Sequence, residues 1–178
     1  MSGKTDAFTI GVSGHRDLSR YDVDLLRDRV RHALGRFRRD GRTCRMLNSL
    51  AEGADQLCAE AALELGYKLI CPLPFDGYRG DFSGEALECF DRLLGCAADS
   101  FYVSVSSNRD AAYLAAGQYV AGNCDVLLAV WDGEPQESNC GTEAAVQYAE
   151  SLKKDVLVLA PGEAQRAGCG RNTPRLRA

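Results

Sequence analysis

The sequence predicts an α/β fold: a doubly wound, Rossmann-like parallel sheet of about six strands with helices on both faces. Strand-like and helix-like segments alternate along the chain, which is the pattern of such sheets. Residues 126–131 are apolar at every position, as a strand covered on both faces must be. Polar loops, several of them containing glycine, follow the predicted strands, and in these sheets such loops gather at one edge.

The predicted elements follow one another without an internal repeat or a low-complexity linker. The strands cover residues 7–12, 43–49, 67–73, 100–105, 126–131 and 155–159. Of the five helices between them, the first begins near Asp22, the second ends at Gly66, the third and fourth span residues 85–97 and 107–119, and the last opens at Gly141-Thr142. The first helix carries an apolar stripe at helical spacing, formed by Val23, Leu26, Val30, Leu34 and Phe37.

Length and composition indicate one domain. With 178 residues and 46% hydrophobic content, the chain can build one substantial core, and we expect a single Rossmann-like domain over residues 1–160. Residues 161–178 contain glycine and arginine but little apolar patterning, so we expect a disordered tail there.

The net charge of the chain limits the classes of partner that it is expected to bind. A net charge of -4 does not suggest a general nucleic-acid binder or a basic protein of the membrane surface. Eight arginines nevertheless lie between Arg27 and Arg45, and we interpret them as a solvated helix face, with contact to a polyanion as the alternative. The sequence contains no apolar run long enough to cross a membrane, so no membrane partner is expected.

The cysteines predict a reduced, cytoplasmic protein without a metal site. No signal peptide precedes the first strand, and the eight cysteines include no CxxC pair. His15 and His32 do not complete a zinc-binding pattern with them. Most of the cysteines are expected to be small buried side chains, although Cys140 lies in the loop before the last helix, where its pKa could be lowered.

The common nucleotide-binding motifs are missing from the sequence. No GxGxxG follows the first strand, and there is no GxxxxGK[ST] loop. The sequence therefore supports neither a dinucleotide-dependent oxidoreductase nor a Walker-type NTPase, and it predicts no cofactor.

The start of the last helix is the first candidate ligand site. Gly141 allows a ligand to approach the backbone, and the Thr142 hydroxyl adds a hydrogen-bonding group to the free N–H groups and positive dipole of a helix N-terminus. We expect a phosphate or sugar phosphate to bind there. The alternative is structural: Asn139 or Thr142 only caps the helix, and Gly141 only makes the turn.

A second group of candidates follows the other strands. Because the carboxyl ends of parallel strands share one edge, these residues should surround a single crevice with Gly141-Thr142. The candidate ligand-binding residues are Ser13, Gly14, His15, Arg16, Gly53, Asp55, Asn108, Arg109, Asp132, Gly141 and Thr142.

Several of these candidates have ordinary structural alternatives. His15 could be an exposed turn residue, and Arg16 could pair with Asp17 or Asp55 instead of clamping a phosphate. Asp55 suits the start of a helix as well as a ribose hydroxyl, and Asp132 suits a turn as well as a sugar. The aromatic residues of the loop 72–82 could stack on a base or cover the edge of the sheet.

Three segments together resemble the SLOG superfamily, which joins the DprA/Smf DNA-processing proteins and the LOG-type cytokinin-activating phosphoribohydrolases. They read GVSGHRDL at 11–18, SLAEGADQLCAEAAL at 49–63 and GTEAAVQYA at 141–149, and the resemblance covers residues 7–160. It implies a Rossmann-like fold and a nucleotide or nucleotide-like ligand, bound by the segments 49–55 and 141–149.

The sequence departs from the LOG pattern at the position of its catalytic acid. LOG-type hydrolases carry PGGxGTxxE, but residues 138–142 here read SNCGT and the glutamate position is Ala145. Glu143 lies two residues earlier, about 200° away around a helix, so it cannot simply substitute. The departure favours binding over phosphoribohydrolase chemistry, unless Asp132 or Glu52 supplies the carboxylate from another loop.

Three functions follow from the sequence. The first is binding of a nucleotide or nucleotide-derived phosphate ligand at the carboxyl edge of the sheet, for example in a sensor. The second is an N-glycosidic hydrolase or transferase, similar to LOG proteins or nucleoside deoxyribosyltransferases, with Asp132 and Glu52 as catalytic candidates. The third is DprA-like binding of single-stranded DNA, which the acidic balance weakens. A homodimer through residues 111–120 is a further expectation, with burial of this helix as the alternative.

Overall fold

The structure, a computed structural model that describes residues 7–38, 42–134 and 140–162, contains a six-stranded parallel sheet. The strands, all of which pair in parallel, are β1 (Phe8–Gly14), β2 (Cys44–Leu47), β3 (Lys68–Leu73), β4 (Asp99–Tyr102), β5 (Val126–Val130) and β6 (Asp155–Leu159). They lie in the order β4-β3-β2-β1-β5-β6. The predicted doubly wound α/β fold is confirmed.

Five helices cover the two faces of the sheet. They are α1 (Val23–Gly35), α2 (Ala54–Glu64), α3 (Gly84–Gly95), α4 (Arg109–Gly122) and α5 (Thr142–Ser151), with a 3-10 turn at Tyr78–Asp81. Helices α1, α2 and α3 pack on one face, and α4 and α5 pack on the other. Within the described ranges, no helix has both the length and the apolar character that crossing a bilayer requires.

Strand β5 lies at the centre of both cores. All five of its residues are buried. Val126, Leu128 and Val130 pack on the side of α1 to α3, whereas Leu127 and Ala129 pack on the side of α4 and α5. The continuous apolar run therefore has the cause inferred from the sequence, since alternate side chains enter opposite layers.

The reversal of strand order places an opening beside β1. From β1 the chain builds β2, β3 and β4 on one side, then returns through α4 to β5 on the other side of β1. A crevice forms at such a point because the loops after the two central strands separate to opposite faces.

The predicted boundaries differ from the observed ones mainly at the strand ends. β1 continues to Gly14, two residues beyond the prediction, because Ser13 and Gly14 still pair with β5. β2 ends at Leu47 instead of residue 49, since the next residue, Asn48, turns the chain by accepting a hydrogen bond from Leu50 N at 2.7 Å. The predicted tail lies outside the described residues from position 163 onward.

The arginines of α1 are bound to neighbouring parts of the protein. Arg27 pairs with Asp24 at 2.9 Å, and Arg31 pairs with Glu64 at 3.1 Å. Arg29 donates to Ala160 O at 2.6 Å. The side chains of Arg27 and Arg31 are 38% and 49% exposed, which is consistent with the interpretation of this region as a solvated helix face.

The cysteines are free thiols wherever the structure describes them. Cys44, Cys58, Cys71 and Cys124 are buried, as expected of small apolar side chains, and Cys96 is exposed. Burial raises the pKa of the Cys58 and Cys71 thiols, which keeps them protonated and unreactive.

Candidate functional site

A cavity of about 640 Å³ opens beyond the carboxyl end of β1, between the loop that follows it and the start of α5. Its size suits a small-molecule ligand. Two corners of the predicted site, the turn His15-Arg16 and the helix start Gly141-Thr142, both line this cavity. The predicted residues that line it are Ser13, Gly14, His15, Arg16, Asp55, Gly141 and Thr142.

The loop after β1 is fixed to the start of α2. Ala54 N donates to His15 O at 2.9 Å. A Cβ atom at Gly14 would lie 2.5 Å from Ala54 Cβ, so only glycine allows the strand and the helix to approach this closely. Gly53 passes against the same loop from the other side. The wall of the cavity at His15 and Arg16 is therefore held by backbone packing.

The opposite corner is the N-terminus of α5. Gly141 is the N-cap and Thr142 is the first helical residue, with its side chain buried at 3% exposure. Gly141 has φ −87° and ψ −167°, an extended conformation that any residue can adopt, so a turn alone does not require glycine here. Asn139, the other candidate cap, lies outside the described residues. The first N–H groups of a ten-residue helix thus stand at the cavity wall.

Arg16 brings a cationic group to the cavity. Its guanidinium Cζ lies 4.9 Å from the centre of the Tyr113 ring, a cation–π arrangement. Burial lowers the pKa of Arg16, but the nearby Tyr78, Tyr113 and Asp55 side chains raise it more, so the group stays charged. A planar guanidinium of this kind can hold a phosphate through two parallel hydrogen bonds.

Asp55 is the buried carboxyl of the cavity, with 6% of the residue exposed. Burial raises its pKa to about 7, against the opposing effects of the Arg16 charge and of hydrogen bonds from the backbone N–H groups of Ala51 and Gly14. Protonated and ionised forms of Asp55 therefore coexist at neutral pH.

Asp132 does not line the cavity, but its carboxylate contacts His15, which does. Its Oδ2 accepts hydrogen bonds from Tyr21 Oη at 2.8 Å and from Arg20 Nη2 at 2.9 Å, and its Oδ1 lies 3.1 Å from His15 Nε2. Burial raises the pKa of Asp132. Hydrogen bonds from Glu134 N and Tyr21 and the interaction with His15 lower the pKa by more than burial raises it, so the pKa lies below its usual value. Asp132 is thus a fixed carboxylate behind His15.

Four other predicted residues lie away from the cavity lining. Glu52 and Gly53 line a second, more open depression between α1, α2 and the start of α3. Asn108 caps α4, its Oδ1 accepting from Ala111 N at 3.0 Å. Arg109 pairs with Asp81 and lies over the Phe75 ring at 4.7 Å. The structure gives all but Glu52 a local structural role.

Two lining residues of the cavity, Asp110 and Tyr113, are not among the candidates predicted from the sequence. Both come from α4, whose alanine-rich pattern gives no signal for them. Of the aromatic residues of the loop 72–82, Tyr78 lines the cavity. Phe82 and Phe90 stack at 4.5 Å, which supports the sheet-covering role of this loop.

Among the described residues, no group of three or more His, Cys, Asp or Glu side chains is arranged to hold a metal ion.

Comparison with known proteins shows similarity in fold. No protein-family model matches this sequence, and no curated protein matches it significantly. Solved structures that share the fold include the structural-genomics protein TM1055 (TM-score 0.56, 17% identity) and the DNA processing protein A (DprA) of Streptococcus pneumoniae (0.58, 16%) and of Helicobacter pylori (0.60, 18%).

The alignments cover 88%, 86% and 90% of this chain, but 76%, 50% and 66% of the respective structures. This chain therefore spans half the length of the streptococcal protein. The Rossmann-like fold implied by the resemblance to the SLOG superfamily is confirmed, since the DprA structures share it.

Proposed function

We propose that this chain binds a nucleotide or another nucleotide-derived phosphate ligand in the cavity beside β1, in a binding or sensing role. One observation carries the proposal. Two corners more than a hundred residues apart in sequence, His15-Arg16 and Gly141-Thr142, line the same cavity. Each corner offers a feature that suits an anion, the guanidinium of Arg16 and the N-terminus of α5.

The rest of the cavity suits the remainder of such a ligand. Its volume of about 640 Å³ lies in the range of small-molecule sites. Ala116, Gly117 and Val120 of α4 form an apolar wall, and the Tyr113 ring lies beside Arg16. A phosphate held between the two corners would leave a sugar and base to contact this wall.

Binding to a panel of phosphate compounds tests this function. We expect the melting temperature of the wild-type protein to rise with at least one member of a panel of mononucleotides, cyclic nucleotides, ADP-ribose and ribose 5-phosphate. Arg16→Gln should weaken that binding about 10- to 100-fold, because a hydrogen bond to a charged group contributes about 1.5–3 kcal/mol.

Arg109→Gln is the matched control for this variant. Like Arg16, Arg109 lies over an aromatic ring, that of Phe75, but it is not part of the cavity lining. We expect it to leave the affinity nearly unchanged. Equal losses in the two variants, or no thermal shift with any compound, would contradict binding in this cavity.

An enzyme acting on an N-glycosidic bond is the second candidate, and one observation favours it. Asp55 brings to the cavity a carboxyl group that is partly protonated at neutral pH, as a general acid must be. Asp132 and Glu52 lie outside the cavity lining. Free base released from nucleoside monophosphates in the thermal-shift samples, and abolished by Asp55→Asn, would replace the binding role with this activity.

Binding of single-stranded DNA is the third candidate. The Helicobacter pylori structure concerns the single-stranded DNA binding mode of DprA, and that protein is 18% identical to this chain. Arg27, Arg29 and Arg31 are already engaged by Asp24, Ala160 O and Glu64. Salt-dependent binding of oligonucleotides, weakened by substitutions of these arginines, would support this candidate over a mononucleotide.

A further inference from the structure

Asp55 has a position that phosphate binding alone does not explain. An acidic side chain is unfavourable beside an anion, yet Asp55 and Arg16 line the same cavity. Asp55 is also buried, so water does little to screen its charge from a ligand. An ionised Asp55 would therefore oppose an anion in this cavity.

The side chains that face Asp55 supply one guanidinium, one phenol and one thiol. The loop after β1 contributes Arg16, and the 3-10 turn contributes the Tyr78 hydroxyl. Helix α2 itself contributes the Cys58 thiol. Burial raises the pKa of both the Tyr78 phenol and the Cys58 thiol, so both are neutral at physiological pH.

Further from Asp55, Tyr113 of α4 faces Arg16, and burial raises its pKa as well, so it too is neutral. The backbone N–H groups of Ala51 and Gly14 donate to the Asp55 carboxylate. Among these groups, Arg16 is the cation that stabilises the ionised form of Asp55.

Anion binding would change this balance in one direction. A phosphate paired with Arg16 neutralises the charge that stabilises ionised Asp55, and it adds a negative charge to the same cavity. Both changes favour the protonated carboxyl group. By thermodynamic linkage, protonation of Asp55 must then favour binding of the anion to the same extent.

We propose that the cavity takes up its anionic ligand together with a proton, which passes from solvent to the Asp55 carboxylate, so that Asp55 makes binding tighter as the pH falls. The step forms one O–H bond on Asp55 and breaks either one O–H bond of hydronium or the O–H or N–H bond that holds the acidic proton of the buffer. This inference rests on the proposed function, because it requires an anion in this cavity.

Calorimetric titration with cyclic AMP tests the coupling. A phosphodiester has no proton equilibrium near neutral pH, so any proton taken up belongs to the protein. Titrations at pH 7 in buffers of different ionisation enthalpy give the number of protons bound per ligand. We expect uptake of a fraction of one proton, between about 0.1 and 0.9, for the wild-type protein, because a group that titrates near pH 7 is already partly protonated in the free protein. Asp55→Asn should reduce this number to about zero while cyclic AMP still binds.

Two control variants separate Asp55 from other sources of protons. Glu52→Gln changes an exposed carboxylate outside the cavity lining, and we expect wild-type proton uptake. His15 also lines the cavity, and an imidazole can take up a proton near neutral pH. Proton uptake that persists in Asp55→Asn but disappears in His15→Gln would overturn the assignment to Asp55.

Further readouts distinguish the possible failures. Should Asp55→Asn not fold, the infrared band of a protonated carboxylic acid in the wild-type protein decides the question: it must grow when cyclic AMP is added at pH 7. Cyclic AMP that binds without proton uptake, or with equal uptake in Asp55→Asn, overturns the inference and leaves the proposed function standing. If no phosphate compound binds to the wild-type protein, both fail.

Discussion

Replacing Gly53 with alanine is expected to lower the free energy of unfolding by about 3 to 6 kcal/mol, by combining backbone strain with overpacking. Gly53 has φ +86° and ψ −120°, a conformation that side chains with a Cβ atom avoid. A Cβ atom there would lie 2.1 Å from Arg16 O and 2.6 Å from His15 O. Because backbone atoms oppose the new methyl group, no side-chain rotation can relieve the clash. Unfolding in urea, followed by circular dichroism, measures the loss.

Gly77→Ala is the comparison variant for this substitution. Gly77 also has a positive φ, +88°, but its ψ of 2° places it in the left-handed helical region, and no atom lies within 4 Å of the position of its Cβ. Strain without a clash should cost about 1–2 kcal/mol. Similar losses in the two variants would show that the contact with the loop after β1 contributes nothing.

The role of Gly53 illustrates what the sequence could not predict. The sequence places Gly53 among the candidate ligand-binding residues, in a segment that the resemblance implies contacts a nucleotide. The structure shows instead that the backbone of His15 and Arg16 approaches it. Gly53 thus affects the site by holding the loop that carries those two residues, and a sequence pattern does not distinguish these two reasons for a glycine.

The fold and the meeting of the two corners were predictable, because both follow from the order of the elements. A run that is apolar at every position, such as β5, has to be covered on both faces. Parallel strands then end at one edge, which brings His15-Arg16 and Gly141-Thr142 to the same opening. Neither step depends on the direction of a single side chain.

Side-chain directions were the part that could not be predicted. Asp132 follows β5 at the correct edge, but Gly133, with φ +87°, turns the chain there and the carboxylate meets Tyr21 and Arg20. Tyr113 reaches the cavity from a helix whose alanine-rich sequence gives no clear apolar face. Such contacts depend on how distant elements pack, which local spacing does not encode.

Asp55→Asn is expected to remove a pH dependence of stability between pH 5 and pH 8. The folded-state pKa of Asp55 is raised to about 7 from 3.8, so the folded protein binds this proton more tightly than the unfolded chain does. The resulting stabilisation is fully present below pH 4 and is lost as the pH rises through 7. Its full size is on the order of 4 kcal/mol, since the pKa rises by about 3 units and one unit corresponds to about 1.36 kcal/mol.

The measured quantity is the difference in free energy of unfolding between Asp55→Asn and the wild-type protein, followed by urea denaturation from pH 5 to pH 8. As the pH rises from 5 to 8, the variant should gain about 2 kcal/mol or more in free energy of unfolding relative to the wild-type protein. The reason is that only the wild-type protein then has to ionise a buried carboxyl. If asparagine fails to accept a hydrogen bond from Gly14 N or Ala51 N, the difference in free energy of unfolding shifts by a constant amount, and its dependence on pH is unchanged.

Asp91→Asn is the control, since hydrogen bonds from Arg79 lower the pKa of Asp91 in the folded protein. The stabilisation from such a group is present above its unfolded-state pKa and is lost only as the pH falls through the folded-state value, so the corresponding difference should stay flat from pH 5 to pH 8. A flat difference for Asp55→Asn as well would mean that the Asp55 carboxyl ionises in the folded protein as easily as in water. It would then carry no proton at neutral pH, and an anion next to Arg16 would meet a fixed negative charge.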